Sequence, residues 1–259
     1  MPSGLGILTM RELKKWLRFP FPLLGLFVVP IVWVFIFGSA LNAAFSSATQ
    51  STLEGAPNYF NFMATGMAVS MSLTYAGRAG ASLFTDRFTG YLDRLKVSPA
   101  TRSTIIISKV FGGMILGMIQ ALVLIALSVP IGLDLQAITP ISLVLIVGTF
   151  MLLSFGFCCV FIFVSLRIRR WQTQQLIGPL VVTPLQFLSS VFYPASRLPT
   201  ILKGFVYLNP LSYAADASRV LFFTPSSWLS GTFQLDFFAM LLFAGASALA
   251  LLIGYKLWL

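Results

Sequence analysis

Residues 105–131, IIISKVFGGMILGMIQALVLIALSVPI, and residues 141–166, ISLVLIVGTFMLLSFGFCCVFIFVSL, decide the fold class. Each exceeds the roughly 20 residues that carry a helix across about 30 Å of hydrocarbon. The short connection 132–140 makes them neighbours that cross in opposite directions. Working outward, apolar stretches at 23–41, 60–80, 174–193 and 237–255 repeat the texture, so the expectation is six spans in a single transmembrane domain over residues 1–259. The fold class expected is therefore all-α and polytopic.

Composition agrees. The chain has 259 residues, of which 58% are hydrophobic and 9% charged, against about 25% charged in soluble domains. A net charge of +10, from 17 basic and 7 acidic residues, would suggest nucleic acid in a soluble domain. Here it reads as topology and no nucleic-acid partner is expected. With the amino terminus in the cytoplasm, all the basic residues except Arg197, Lys203 and Arg219 fall at the inner side, so both termini are expected there.

The chain has no histidine, which removes the commonest zinc ligand and the imidazole proton relay. Cys158 and Cys159 are adjacent and point about 100° apart on a helix, so neither a mutual disulfide nor a metal site is expected. No GxxxxGK[ST] loop occurs, and no serine, cysteine or metal hydrolase constellation stands out. No catalytic, cofactor-binding or metal site of the chain's own is expected. Within the spans there is almost no ionisable group, which argues against a proton-coupled carrier. Thr65, Ser70, Ser72, Thr74 and Gln120 suit interhelical hydrogen bonding or a cavity wall, and Gly113 and Gly117 stand at GxxxG spacing.

Three segments outside the spans carry pattern. Residues 5–18 form a basic amphipathic helix suited to the membrane interface, ended by Pro20 and Pro22 and retained rather than cleaved. Residues 82–97, SLFTDRFTGYLDRLKV, put Phe84, Phe88, Tyr91, Leu92 and Leu95 on one arc and Asp86, Arg87, Asp93 and Arg94 on the rest, with Ser98-Pro99 as the stop. That is a surface helix, either a plain connector or a docking element for a cytosolic partner. Arg167, Arg169 and Arg170 beside Trp171 serve as an interface anchor bordering the same surface. Residues 187–223 contain two apolar pieces too short to span, divided by Pro194, Pro199 and Pro210, and they read as interfacial or re-entrant helices. There Asp216 and Arg219, three apart, form a partly screened ion pair or hold a gate.

Taken in order, the basic leader, FTDRFTGYLDRLKVSPATR and FLSSVFYPASRLPTILKGFVYLNPLSYAADASR resemble the membrane permease of type-2 ABC exporters, a group that includes drug-resistance and polysaccharide or lipo-oligosaccharide exporters. The resemblance implies a coupling helix at 83–97, with Phe84, Asp86, Arg87, Phe88, Tyr91, Arg94 and Leu95 facing a cytosolic ABC ATPase. Asp86 stands where the family often has glutamate. It also implies extracellular helices at about 198–207 and 211–223, with the signature Tyr193, Pro194, Pro199, Asn209, Pro210, Tyr213, Asp216 and Arg219. By the same resemblance two ATPase copies bind the ATP and magnesium. A second copy of this chain or a close homologue completes the membrane part, embedded in the lipids of the bacterial inner membrane. The cargo expected is an amphipathic drug, lipid or lipid-linked glycan. A secondary carrier or channel and a non-transporting scaffold are the alternatives that the residues alone leave open.

Overall fold

The computed structural model describes residues 4–18, 53, 55–92, 101–224 and 229–258, with a few isolated positions between 28 and 40. Among these residues every regular element is helical. In chain order they are α1 (Gly4–Arg18), α2 (Tyr59–Phe88), α3 (Arg102–Ser128), α4 (Pro140–Arg167), α5 (Trp171–Phe187), α6 (Thr200–Leu208), α7 (Pro210–Phe223) and α8 (Gly231–Trp258). The starts follow local chemistry. Asn58, Thr101, Thr139 and Asn209 each accept a backbone N–H of the first turn through their side chains, and Pro140 and Pro210 occupy first-turn positions where no amide is missed.

The structure corrects the expectation of six spans. Among the described residues three helices are long and apolar enough to cross a membrane: Ser103–Ile131, Pro140–Arg167 and Gly231–Gly254. The stretch 23–41 lies almost wholly outside the described residues. α5 holds only 17 residues, with Pro179 and Pro184 inside it, so it falls short of the bilayer thickness. α2 has 30 residues, and its shortfall is compositional. Asn61, Thr65, Ser70, Ser72, Thr74 and Asp86 dilute its apolar content, and all but Thr74 are buried against other helices.

The second difference lies at 82–97. The expected separate surface helix begins instead as the last turns of α2, which ends at Phe88. Gly90 then takes a left-handed φ of +71°, a conformation that breaks the helix and suits glycine. Residues 93–97 lie outside the described residues. Two short helices follow α5, at Thr200–Leu208 and Pro210–Phe223.

α2 is the centre of the bundle, packed against α3, α4, α5 and α7, while α1 lies on α3 and α8 on α4. Glycine and serine permit that density. A Cβ on Gly113 would meet the Ala79 Cβ and Cys158 Sγ at 2.7 Å, and one on Gly117 would meet the Ser154 Oγ at 2.5 Å and the Ser72 carbonyl at 2.9 Å. The Ser72 and Ser154 hydroxyls are hydrogen-bonded across the same contact, and Gln186 Nε2 donates to Thr74 Oγ1 at 3.2 Å. Small faces that let backbones approach supply the packing that a hydrophobic drive cannot supply between helices in lipid.

Gly117→Ala should therefore destabilise the protein by about 1–3 kcal/mol through overpacking. Gly148→Ala, where a new Cβ meets nothing within 4 Å, should be neutral. Heat-induced loss of monodispersity in detergent measures both, and equal melting of the two variants would contradict the close contact.

Candidate functional site

At the carboxyl-terminal end of α2 lies a closed ionic network built by three helices. Lys109 on α3 is only 2% exposed, and its ammonium spends all three donors: on Asp86 Oδ2 at 2.7 Å, Ser82 Oγ at 3.0 Å and Glu12 Oε1 at 3.2 Å. Ser82 donates onward to Glu12 Oε2 at 2.8 Å. Lys15 reaches Glu12 and Asp86 at 3.1 Å each, and Arg11 closes the outer side at 3.4 and 3.5 Å. Glu12 and Asp86 are themselves buried. Burial alone would raise both carboxyl pKa values. Lys109 first and Lys15 second outweigh it, so both lie below the ordinary carboxylate range.

The network has an aromatic neighbour. Arg11 lies over the Tyr91 ring at 3.7 Å, which pins the chain just past the Gly90 turn to α1. Phe84 stacks on Phe88 with ring centroids 6.0 Å apart, and Trp171 of α5 packs on both, at 5.8 and 5.4 Å. Arg87 donates to the carbonyls of Leu166 and Ile168, tying α2 to the α4–α5 connection. Phe88 is 64% exposed, and Arg167, Arg169 and Arg170 are exposed beside Trp171.

The expected coupling residues thus divide. Phe88 and Tyr91 reach the surface and Trp171 joins them, whereas Phe84 and Asp86 turn inward. The reading of Asp86 as a partner contact meets the fact that Lys109 and Lys15 already occupy it. Arg94 and Leu95 lie outside the described residues. Glu12 and Lys109 escaped the sequence reading. Their signal is a lone cation four residues into an apolar run, matched by acids at the same end of the chain's helices.

The opposite end of α2 carries a second buried charge. Arg219 on α7 is fully buried. Its guanidinium lies 3.5 Å from the Phe62 ring centroid, pairs with Asp216 at 2.9 Å and donates to the Ser190 and Val191 carbonyls at 2.7 and 3.2 Å. Gly66 leaves room for it, since a Cβ there would come within 2.9 Å of the guanidinium. The cation is fully buried while the Asp216 side chain is 31% exposed, so solvent reaches the pair only from the acid's side. Asn209 caps α7 and donates to the Leu185 and Leu188 carbonyls. Pro210 opens α7 and Pro199 precedes α6. Pro194 leads into the 3-10 turn Ala195–Arg197, Tyr213 donates to the Tyr207 carbonyl, and Tyr193 is half exposed beside Phe192. Arg219 thereby fastens α7 onto α2, and Asn209 ties the start of α7 to the end of α5.

Between these ends, α2 and α5 enclose a cavity of about 510 Å³. Trp33, Tyr75 and Phe161 give it aromatic wall, while Thr74, Gln174 and Gln186 give it polar wall. Gln174 lines the cavity, and its Oε1 is buried with no hydrogen-bond partner among the described residues.

Residues 3–223 match the family model described as ABC-2 type transporter. The chain is 26% identical over 214 residues to the daunorubicin resistance ABC transporter permease protein DrrB1 of Streptomyces coeruleorubidus, covering 82% of this chain and 72% of that one. It is 30% identical over 241 residues to the putative transport permease ycf38 of Cyanophora paradoxa, covering 91% and 80%. With the inner membrane transport permease YadH of Escherichia coli K12 the figures are 27% over 166 residues, covering 62% of each. The chain belongs to the ABC-2 type transporter family, as a membrane permease subunit.

Removing both acids of the network (E12Q/D86N) should destabilise the protein at neutral pH by about 3–5 kcal/mol, because Lys109 is left buried without a counter-charge. Adding Lys109→Met should recover much of that loss. Because both folded pKa values lie below the ordinary value of about 4, the stabilisation is present above that pH. It is lost as pH falls through the folded values. Thermal melts from pH 7 to 3 should show a steep acid limb in the wild type and a shallow one in the triple variant. Identical limbs would remove the network from the account of stability.

Proposed function

We propose that this permease subunit is the membrane half of an ATP-driven exporter. Two copies, or this chain with a close homologue, pair with two cytosolic ABC ATPase subunits that hold ATP and magnesium. The end of α2 that carries Asp86 faces the cytoplasm, as do both termini, in the inner membrane of a bacterium. The observation that carries this reading is the Phe88–Trp171 pair, an aromatic patch exposed among arginines and fastened to three helices at once. Tyr91 continues the docking surface, and Arg94 and Leu95 are proposed to contact the same ATPase. Phe84, Asp86 and Arg87 act behind it, holding the patch rigid against α1, α3 and the α4–α5 connection.

Family membership supports an ATPase partner, and two features support the coupling route. First, the patch ends a helix that runs the length of the bundle, so displacement at Phe88 is delivered to the cavity wall at Tyr75 and Thr74. Second, the network at Asp86 leaves α1, α2 and α3 no independent hinge at that end. The cargo is proposed to be amphipathic: a drug, a lipid or a lipid-linked glycan. The cavity's aromatic and amide walls support that chemistry, and the similar Streptomyces protein is named for daunorubicin resistance.

Burying a phenylalanine ring contributes about 1.5–3 kcal/mol, so Phe88→Ala should weaken association with the ATPase at least about tenfold. In nanodiscs containing the chain and its ATPase, cargo-stimulated hydrolysis should fall in Phe88→Ala and Tyr91→Ala while the permease stays inserted. Full stimulation in correctly assembled variants would sink the coupling role, and a chain that assembles with no ATPase would sink the exporter itself.

A further inference from the structure

The three helices with membrane-crossing length and composition, α3, α4 and α8, enclose an apolar groove of about 230 Å³. α3 and α8 both pack on α4, and the gap between them is walled by Ile106, Ile107 and Val110 on one side and Ala248 and Leu251 on the other, with Phe155 at its floor. Ser103, at one end, is the only hydroxyl that borders it among the described residues. The groove is smaller than a drug-sized pocket of about 300–1,000 Å³, and Ile107 and Leu252 of its lining are exposed. It is separate from the α2–α5 cavity. Phe161 lines that cavity, and Cys159, which borders the groove, lies roughly 200° away around α4.

Backbone register sets basic positions at one end of the groove. Gly113 of α3 abuts Cys158 of α4, and Gly254 of α8 abuts Phe163 of α4. Counting from those contacts at about 1.5 Å per residue, the start of α3 at Arg102, the end of α4 at Arg167 and the last turn of α8 at Lys256 reach one level. The Arg167 side chain is exposed and lies over the Phe163 ring at 5.1 Å. No Asp or Glu occurs in residues 101–133, 140–167 or 237–258, and Asp236 of α8 stands about 30 Å along the helix from Lys256.

From this juxtaposition we propose that the α3–α4–α8 groove binds a resident anionic phospholipid, one acyl chain lying along Ile106, Val110 and Ala248 and the phosphate held at Arg167, with Arg102 and Lys256 at the same level. Basic clusters beside membrane helices select anionic headgroups by this electrostatics. A second copy of the chain is the poorer occupant, because a two-fold interface would bring the same cations face to face. The proposal rests on the three apolar helices and on none of the exporter reading, so it stands or falls separately.

The test is native mass spectrometry of the full chain released from nanodiscs of equimolar phosphatidylglycerol and phosphatidylcholine. The wild type should retain one phosphatidylglycerol per chain with about tenfold preference over phosphatidylcholine. Ala248→Phe, which fills the groove, should lose it. Leu242→Phe, at an exposed position of α8 outside the groove, should keep it, and Arg167→Gln should keep a lipid but lose the preference. Equal retention by wild type and Ala248→Phe overturns the proposal, as does dissociation of a dimer by Ala248→Phe in place of lipid loss. Should Ala248→Phe fail to insert, the wild type still decides the matter. A phosphatidylglycerol with a diazirine in its acyl chain should crosslink to residues 103–111 or 248–252, and adducts confined elsewhere overturn it.

Discussion

The rest of the structure depends on how α2 is held at its ends. A helix packed on most of its circumference leaves a buried charge no route to water, so each buried charged group on it needs a partner placed by another helix. Lys109 meets this condition for Asp86 by giving its whole donor set to two carboxylates and a hydroxyl. Arg219 meets the complementary condition at the far end, where an arginine from α7 satisfies backbone carbonyls beside Phe62. About 36 Å of helix separates Phe62 from Asp86, and the neighbours that surround it are fixed relative to one another at both limits.

Between the ends, close approach replaces hydrophobic bulk. At Gly80, Gly113 and Gly117 a Cβ would run into atoms of the neighbouring helix, and Ser72 and Ser154 meet where larger residues would hold the backbones apart. This explains why α2 falls short of a spanning composition although it lies deepest. The residues that let it pack are small and polar, whereas the residues of α8 that make it strongly apolar, such as Leu241, Leu249 and Ile253, are its exposed ones. Hydropathy reports which helices face hydrocarbon, and α2 faces protein.

That distinction sets what could be read from the sequence. α3, α4 and α8 were legible because a helix facing lipid writes its environment into a long apolar run. The starts of α6 and α7 were legible because proline and an asparagine cap act within a few residues of chain. Three features were not. The end of α2 at Phe88 was hidden because Ser82–Phe88 has the amphipathic spacing of a surface helix, and only its continuity with the residues before it shows that one arc is buried. The pairing of Lys109 with Glu12 and Asp86 joins residues 97 and 23 positions apart, a separation at which local pattern carries no signal. Arg219 looked like half of an i,i+3 surface pair, and nothing in that spacing tells that Gly66 and Phe62 enclose it.

The cavity wall is built of unequal partners. α2 keeps an unbroken backbone ladder, is clamped at both ends and is packed on most of its circumference. α5 faces it across the cavity with prolines at 179 and 184 inside its helix. Each removes an amide from the ladder and crowds the preceding turn, which weakens a helix interior against bending. Leu176 and Leu180 are mostly exposed, so little protein braces the other side of α5. α5 is therefore the more compliant wall of the cavity. Under the proposed coupling, displacement entering at the Phe88–Trp171 patch would act on both walls from one place, since Phe88 belongs to the end of α2 and Trp171 to the start of α5, moving the stiff wall as a body while the compliant one bends.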